Sequence, residues 1–263
     1  MGRAKAWLPW RGQPMLAHVV ERLREVVDEV VVVSSAELAP PPVDALLVRD
    51  SAPGEGPLQG LAEGLARVEA PLAFVTSTDA PFLRADFVRA LLSYGVPVAP
   101  VQGGFVQTLA AVYPREAAAR ARELLAEGRR RPLELLEAVD YRQLDVSDLP
   151  GSDGLRGFNT PDEYLAAVAA DAGGATAMLE FSGSLRETAG VDELEVPVGS
   201  LAQLLAHAPE GLGLFEGEAV SPRYRVSLDG RDVLVDTRVP IGPGERVIVS
   251  DTRGQGPGKS GLQ

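Results

Sequence analysis

The sequence has no cysteine, only two histidines, and aromatic residues make up just 5% of it. Without cysteine there are no disulfides, no thiolate metal site and no cysteine nucleophile. His18 and His207 lie far apart, so no histidine-spaced metal motif and no Ser/His/Asp set emerges. His18 falls on the polar side of the first amphipathic segment, and His207 at a helix C-terminus, where a cation is mildly favoured. No apolar run reaches the roughly 18 residues that a membrane-spanning helix needs. The first twelve residues carry Trp7, Pro9 and Trp10 but no apolar signal core, so a cytoplasmic location is expected. Positive charge is also short: 25 Lys and Arg stand against 37 Asp and Glu, a net charge of −12 spread along the chain. That balance argues against a general nucleic-acid or membrane-surface binder. It still permits one anionic substrate held by a few local cations.

What is present is a soluble-type composition, 45% hydrophobic and 24% charged, in 263 residues. Leu16, Val19, Val20, Leu23 and Val27 recur at helical spacing, and Val30 to Val33 form a β-branched run. Further strands are expected at Ala45 to Val48, Leu72 to Val75 and Val106 to Tyr113. Helices are expected at Leu58 to Val68, Arg84 to Tyr94, Arg115 to Glu127 and Pro161 to Ala170, the last with Thr160 as cap. Strands alternating with helices predict an α/β, Rossmann-like domain over 1–170 with a mostly parallel sheet. In such sheets ligands bind beyond the carboxyl ends of the strands, where Asp50 and Asp79 fall. A small, Gly-rich stretch at 171–176 reads as a linker. From 177 to 250 the rhythm becomes strand, strand, short helix and more strands, including Val233 to Val235, which predicts a small α+β domain. The glycine-rich end, 251–263, is expected to be a flexible tail.

Four local features carry candidate chemistry. Lys5, in Met1-Gly2-Arg3-Ala4-Lys5 ahead of Leu8-Pro9 and Gly12, is a point charge suited to phosphate. Asp50 precedes a glycine-rich loop, Pro53, Gly54, Gly56, Pro57, Leu58 and Gly60, whose backbone can approach a ligand closely. Thr78-Asp79-Ala80-Pro81 places one carboxylate after a buried strand, where Mg²⁺ with substrate phosphates would suit it. In Phe158-Asn159-Thr160-Pro161, helix capping accounts for Thr160 and Pro161 but not for Asn159. Each feature taken singly also reads as a surface lysine, a strand-to-helix loop, a turn aspartate or a helix start.

In this order and spacing the four resemble the molybdenum-cofactor guanylyltransferases, a family of nucleotidyltransferases, over roughly the first 170 residues. The resemblance implies that Lys5 contacts nucleotide phosphates and that Asp79 holds Mg²⁺; these two would be the catalytic residues. Asp50, Gly56, Pro57, Leu58 and Gly60 would bind GTP, and Asn159 would sit near the metal and the pterin. GMP would pass from GTP to the terminal phosphate of molybdopterin cofactor, releasing pyrophosphate, without a covalent nucleophile. The family's Gly-Gly-x-Ser-x-Arg stretch and the strand before it have no counterpart in these residues, so the strands beside that first strand are expected to lack a partner. Gly157 stands where the family often has a further Asn.

The region 177–250 resembles the small subunit of molybdopterin synthase, a ubiquitin-like β-grasp sulfur carrier. The match rests on Leu179-Glu180-Phe181, Leu185-Arg186 with Gly190, Tyr224 to Gly230 and Ile241 to Val247. It implies the synthase large subunit as a partner. The carrier's terminal Gly-Gly is replaced by Ser260-Gly261-Leu262-Gln263, so sulfur transfer would need trimming of the tail. The alternatives are a cytidylyl- or sugar-phosphate nucleotidyltransferase, or a non-catalytic protein docking a synthase partner.

Overall fold

The computed structural model describes residues 2–52 and 54–252; Met1, Pro53 and the residues from 253 onward, with the tail and its last four residues, lie outside them. The chain divides into two compact units. One comprises Lys5–Trp7 and Pro14–Gly157; the other comprises the N-terminal stretch through Ala4, Leu8–Gln13 and the chain from Phe158.

In the first unit, helix α1 (Met15–Arg24) leads to strands β1 (Val31–Ser35) and β2 (Leu46–Asp50). These pair in parallel, from Val31 opposite Leu46 to Ser35 opposite Asp50. Helix α2 (Pro57–Leu65) carries the chain to β3 (Leu72–Thr76), followed by α3 (Ala85–Leu92). Then come β4 (Val98–Gln102), β5 (Phe105–Val106), β6 (Ala110–Pro114), α4 (Ala117–Ala126), α5 (Pro132–Val139) and β7 (Arg142–Asp145). The second sheet runs β3-β6-β4-β5, with β7 also paired to β4.

Helices cover both faces of this sheet. Leu58, Leu61 and Leu65 of α2 pack with Ala121, Leu124 and Leu135 on one side, and Phe87, Val88 and Leu91 of α3 pack with Val98 and Val112 on the other. The expected mostly parallel sheet is mixed. β6 runs antiparallel to both β3 and β4, while β4 and β7 are parallel. The expected strand Val106 to Tyr113 is cut in two, because β5 turns back on β4 around Gly103 and Gly104, both at positive φ, before β6 begins at Ala110. His18 is a correction as well. It is 2% exposed, with Nε2 2.9 Å from the Pro81 carbonyl, because α1 packs on two sides and closes over that loop.

The second unit holds α6 (Pro161–Asp171), β8 (Thr176–Ser182), α7 (Leu185–Ala189), β9 (Glu193–Pro197), α8 (Leu201–Leu205), β10 (Tyr224–Leu228), β11 (Asp232–Val233) and β12 (Arg246–Asp251). Its sheet is ordered β9-β8-β12-β10-β11. The central pair β8 and β12 is parallel, and β9 and β10 flank it antiparallel. Alternation along β8 buries Ala177, Leu179 and Phe181 against Leu201, Leu204, Ile241 and Val249. Strand β11 ends at Val233, short of the expected Val233 to Val235, and Val235 is 78% exposed.

The division falls ahead of the stretch expected as a linker. Residues 171–176 are the end of α6, a turn closed by Ala175 N–H on the Ala172 carbonyl, and the start of β8. The physical cause is packing of α6. Tyr164 is buried and donates to the Pro9 carbonyl at 2.7 Å, its hydroxyl abuts Gly242 where any Cβ would clash, and Arg11 pairs with Asp171 at 2.6 Å. In the same unit Arg3 forks onto both oxygens of Glu245, at 2.8 and 2.6 Å, and Glu245 also accepts from the Gly242 N–H.

Candidate functional site

The buried apolar run of β3 ends at Thr76, and the chain continues as Ser77-Thr78-Asp79 at the carboxyl edge of the sheet. Lys5 opens a short 3-10 turn, Lys5–Trp7, whose buried Ala6 packs against Leu16 and Val20 of α1. That packing presents Lys5, and its Nζ stands 2.5 Å from Asp79 Oδ2. The Ser77 hydroxyl also donates to Asp79. Burial pushes the Asp79 carboxyl up, but the hydrogen bonds from Lys5 and Ser77 and the Lys5 charge outweigh it, and the group sits below its ordinary value. Asp79 is therefore a half-buried carboxylate held ionised, with a cation beside it.

A pocket of about 290 Å³ opens beside Asp79, lined by Ser77, Asp79, Gln107, Thr108, Arg156 and Gly157. Gly157 closes on the Asp79 backbone so tightly that a Cβ there would come 2.9 Å from the Asp79 carbonyl oxygen. No asparagine fits that position in this conformation, which accounts for the glycine. The Arg156 guanidinium lies 4.9 Å over the Phe82 ring, and its Nε donates to the Asp153 carbonyl at 3.2 Å.

Asp50 ends β2, and its Oδ1 accepts from Ala52 N–H at 2.9 Å. Its described bond is thus to its own loop. That loop is tied to α2 by Ser51, which donates to Glu63 at 2.6 Å, and by Gln59, which donates to Ser51 and Glu63 at 3.2 Å each. Gly56 has φ +83 with open space around it, so backbone conformation rather than crowding calls for glycine. Pro57 then sets the first helical position. Leu58 is fully buried in the core, so only its backbone is available to a ligand. Gly60 and Pro57 border a second, larger cavity. Asn159 belongs to the other unit, and its N–H is accepted by Glu163 at 2.6 Å.

The structure therefore joins Lys5 to Asp79, places the Asp50 to Gly60 loop within the same unit, and assigns Asn159 to the second. Ser77, Gln107, Thr108 and Arg156 were missed by sequence reasoning. Only Ser77 left a signal, a hydroxyl two residues before the aspartate. Among the described residues no group of three or more His, Asp or Glu side chains forms a metal cage. Asp79 alone still suits a cation that takes one carboxylate and completes its shell with phosphates and water.

The profile of the MobA-like NTP transferase domain matches residues 1–142. The molybdenum cofactor guanylyltransferase of Pseudomonas putida is 31% identical over 169 residues, 61% of this chain and 86% of that protein. A probable molybdenum cofactor guanylyltransferase of Mycobacterium avium is 33% identical over 181 residues, 65% of this chain and 90% of that protein. Among solved structures, the molybdopterin-guanine dinucleotide biosynthesis protein A of Archaeoglobus fulgidus is similar at TM-score 0.52 and 21% identity, covering 62% of this chain and 88% of that one. The 2-C-methyl-D-erythritol 4-phosphate cytidylyltransferase of Thermus thermophilus is also similar at 0.52, with 20% identity, 65% of this chain and 96% of that one. These two likenesses establish an α/β nucleotidyltransferase fold.

Proposed function

The chain belongs to the MobA-like NTP transferase domain family, and from that premise we propose that it transfers GMP from GTP to the terminal phosphate of molybdopterin cofactor, releasing pyrophosphate. The observation that carries the reading is the Lys5–Asp79 pair beyond β3, whose Asp79 lines the pocket there. Lys5 offsets charge on the nucleotide phosphates, and Asp79 holds Mg²⁺, which when bound neutralises the phosphate oxygens around the reacting phosphorus. Asp79 has the chemistry for that role, because Lys5 and Ser77 keep it ionised despite burial. Asp50 and the Gly56 to Gly60 turn bind the guanine nucleotide and its sugar, with the side chain of Leu58 serving the core. Asn159 binds the pterin.

No nucleophilic side chain is needed: the acceptor phosphate attacks in line, and the residues supply position and charge. The second unit is read as a β-grasp, sulfur-carrier-like domain, on the parallel centre of its sheet and its antiparallel flanks, and as a docking module for the synthase large subunit.

The test is pyrophosphate release from GTP, Mg²⁺ and molybdopterin, with CTP as the competing nucleotide. Asp79→Asn is expected to lower the rate at least about 10²-fold while the circular dichroism spectrum stays unchanged. Full activity in that variant overturns the site. Preference for CTP overturns the choice of nucleotide alone.

A further inference from the structure

The lining of the pocket beside Asp79 carries two charged side chains, Asp79 and Arg156. Asp79 is engaged by Lys5 at 2.5 Å. Arg156 pairs with no carboxylate among the described residues; its Nε donates to the Asp153 carbonyl at 3.2 Å, and its two Nη groups make no hydrogen bond among them. The guanidinium is nevertheless held in place. Its carbon stands 4.9 Å over the Phe82 ring, where a cation is attracted to the ring face. The backbone on each side of it is wedged: a Cβ on Gly154 would collide with the Phe82 carbonyl, and one on Gly157 with the Asp79 carbonyl. The wall formed by Gln107 and Thr108, between β5 and β6, is uncharged, and the Tyr113 hydroxyl ties it down by donating to the Thr108 carbonyl at 2.9 Å. A fixed guanidinium with both Nη groups unspent, in a concave site of a chain whose net charge is −12, suits an anion with several oxygens.

We propose that Arg156 grips the terminal phosphate of the acceptor, so that the pocket selects a phosphomonoester; this rests on the transferase reading. Two placements choose the acceptor over the nucleotide. First, Thr76 and Ser77 line both this pocket and the larger cavity bordered by Pro57 and Gly60, so the turn read as the guanine site lies across the end of β3 from Arg156. Second, Asp79 pairs with Lys5 and also lines the pocket that holds Arg156. Each reactant thus has its own cation, Lys5 for the nucleotide and Arg156 for the acceptor, with Asp79 common to both. Two anions come together at one centre only when the charge on each is offset. An oxygen of the acceptor phosphate bonds to the α-phosphorus of GTP as the bond to the bridging oxygen breaks, and that oxygen leaves with the electron pair in pyrophosphate. Arg156 holds the remaining oxygens of the attacking phosphate in its planar fork, which orients the attack. With a volume of about 290 Å³, small for a ligand pocket, the site takes the phosphate end of the acceptor and not the whole molecule.

The experiment has a kinetic arm and a binding arm, both on the full chain. In steady-state transfer with GTP and Mg²⁺, Arg156→Gln is expected to raise the KM for molybdopterin at least about tenfold and to leave the KM for GTP within about twofold. Arg156→Lys keeps the charge but not the fork, and should recover only part of the loss. In the second arm inorganic phosphate is titrated without nucleotide or metal, and the Arg156 Nε–H resonance, assigned by its disappearance in Arg156→Lys, is expected to shift. An unchanged KM for molybdopterin in Arg156→Gln overturns the proposal. So does a rise in the KM for GTP instead, which gives the pocket to the nucleotide, and so does a resonance that phosphate leaves in place. The binding arm needs no turnover. A chain whose Arg156 answers phosphate but which transfers no GMP therefore keeps the phosphate seat and loses the transferase reading alone.

Discussion

β3 ends the sheet of its unit and β8 lies inside the sheet of the other, and the more apolar of the two is the less buried. β8 reads Thr-Ala-Met-Leu-Glu-Phe-Ser and is hydrogen-bonded on both edges; it fully buries Leu179 and Phe181. β3 reads Leu-Ala-Phe-Val-Thr, is bonded on one edge, and leaves every residue half-buried. Hydropathy states what a strand asks for, and its neighbours decide what it receives. The second unit has a closed ladder around β8, while the first carries an open slot beside the edge that bears the Lys5–Asp79 pair.

Truncating one phenylalanine in each strand gives the largest test of this contrast. Phe181→Ala removes a fully buried ring from the core of the second unit and is expected to cost about 3–5 kcal/mol. Phe74 touches Phe87 edge-on, with ring centroids 6.3 Å apart, but is only partly buried. Phe74→Ala should therefore cost only about 1–2 kcal/mol. Urea unfolding followed by fluorescence and circular dichroism measures both. Equal losses would break the comparison.

Much of this arrangement is legible in sequence where period and punctuation agree. Val30 to Val33 announces a strand by β-branching and Leu72 to Val75 by its short apolar run, and Thr160-Pro161 announces a helix start. The strand β4 is not legible, because Pro97 and Pro100 mark a break in an otherwise apolar stretch, and only the pairing of Val98 with Val112 and Arg142 shows it to be a strand. Its antiparallel partner β6 falls largely within the expected strand Val106 to Tyr113, but its direction was not legible, since that is set by the Gly103-Gly104 turn and not by composition. His18 shows the limit of helical-wheel reasoning: a helix packed on two sides has no polar face at that position. Within the site, Asp79 and Lys5 are named by spacing, but their contact across 74 residues is a tertiary fact. The role of Leu58 illustrates the converse, a motif position whose side chain is spent on the core.

A second prediction concerns the rim of the open unit. Lys5→Met leaves Asp79 with burial opposed only by Ser77 and local backbone, so its carboxyl should move upward. Asp79 is depressed in the folded protein; its contribution is therefore present above its unfolded value, about 3.9, and is lost as pH falls through the lower folded value. Leaving this charge unpaired should cost about 1–3 kcal/mol at neutral pH. The gap in thermal midpoint between Lys5→Met and the unaltered chain should thus be widest near pH 7 and close below about pH 4. A gap that does not narrow in acid would show that Lys5 stabilises the rim by packing of its stem rather than by its charge.

The smallest expected effect lies at the start of α6, in the closed unit. Thr160 Oγ1 accepts from Glu163 N–H at 3.2 Å, and Glu163 Oε2 accepts from the N–H groups of Thr160 and Asn159 at 3.2 and 2.6 Å. This reciprocal cap satisfies donors that the first turn of a helix leaves unpaired. Thr160→Ala removes one half of it and should cost about 1 kcal/mol, read as a small shift in the thermal midpoint. The core contacts of Tyr164 and Val168, both buried one and two turns further along, should keep α6 in place. A loss well above about 2 kcal/mol would mean that the closed unit depends on this cap rather than on its sheet, since exposed caps do not reach that size. Glu163 also holds the backbone of Asn159. On the role proposed for Asn159, Glu163→Ala should weaken pterin binding and Thr160→Ala should leave it unchanged, although each removes half of the cap at a similar small cost in stability.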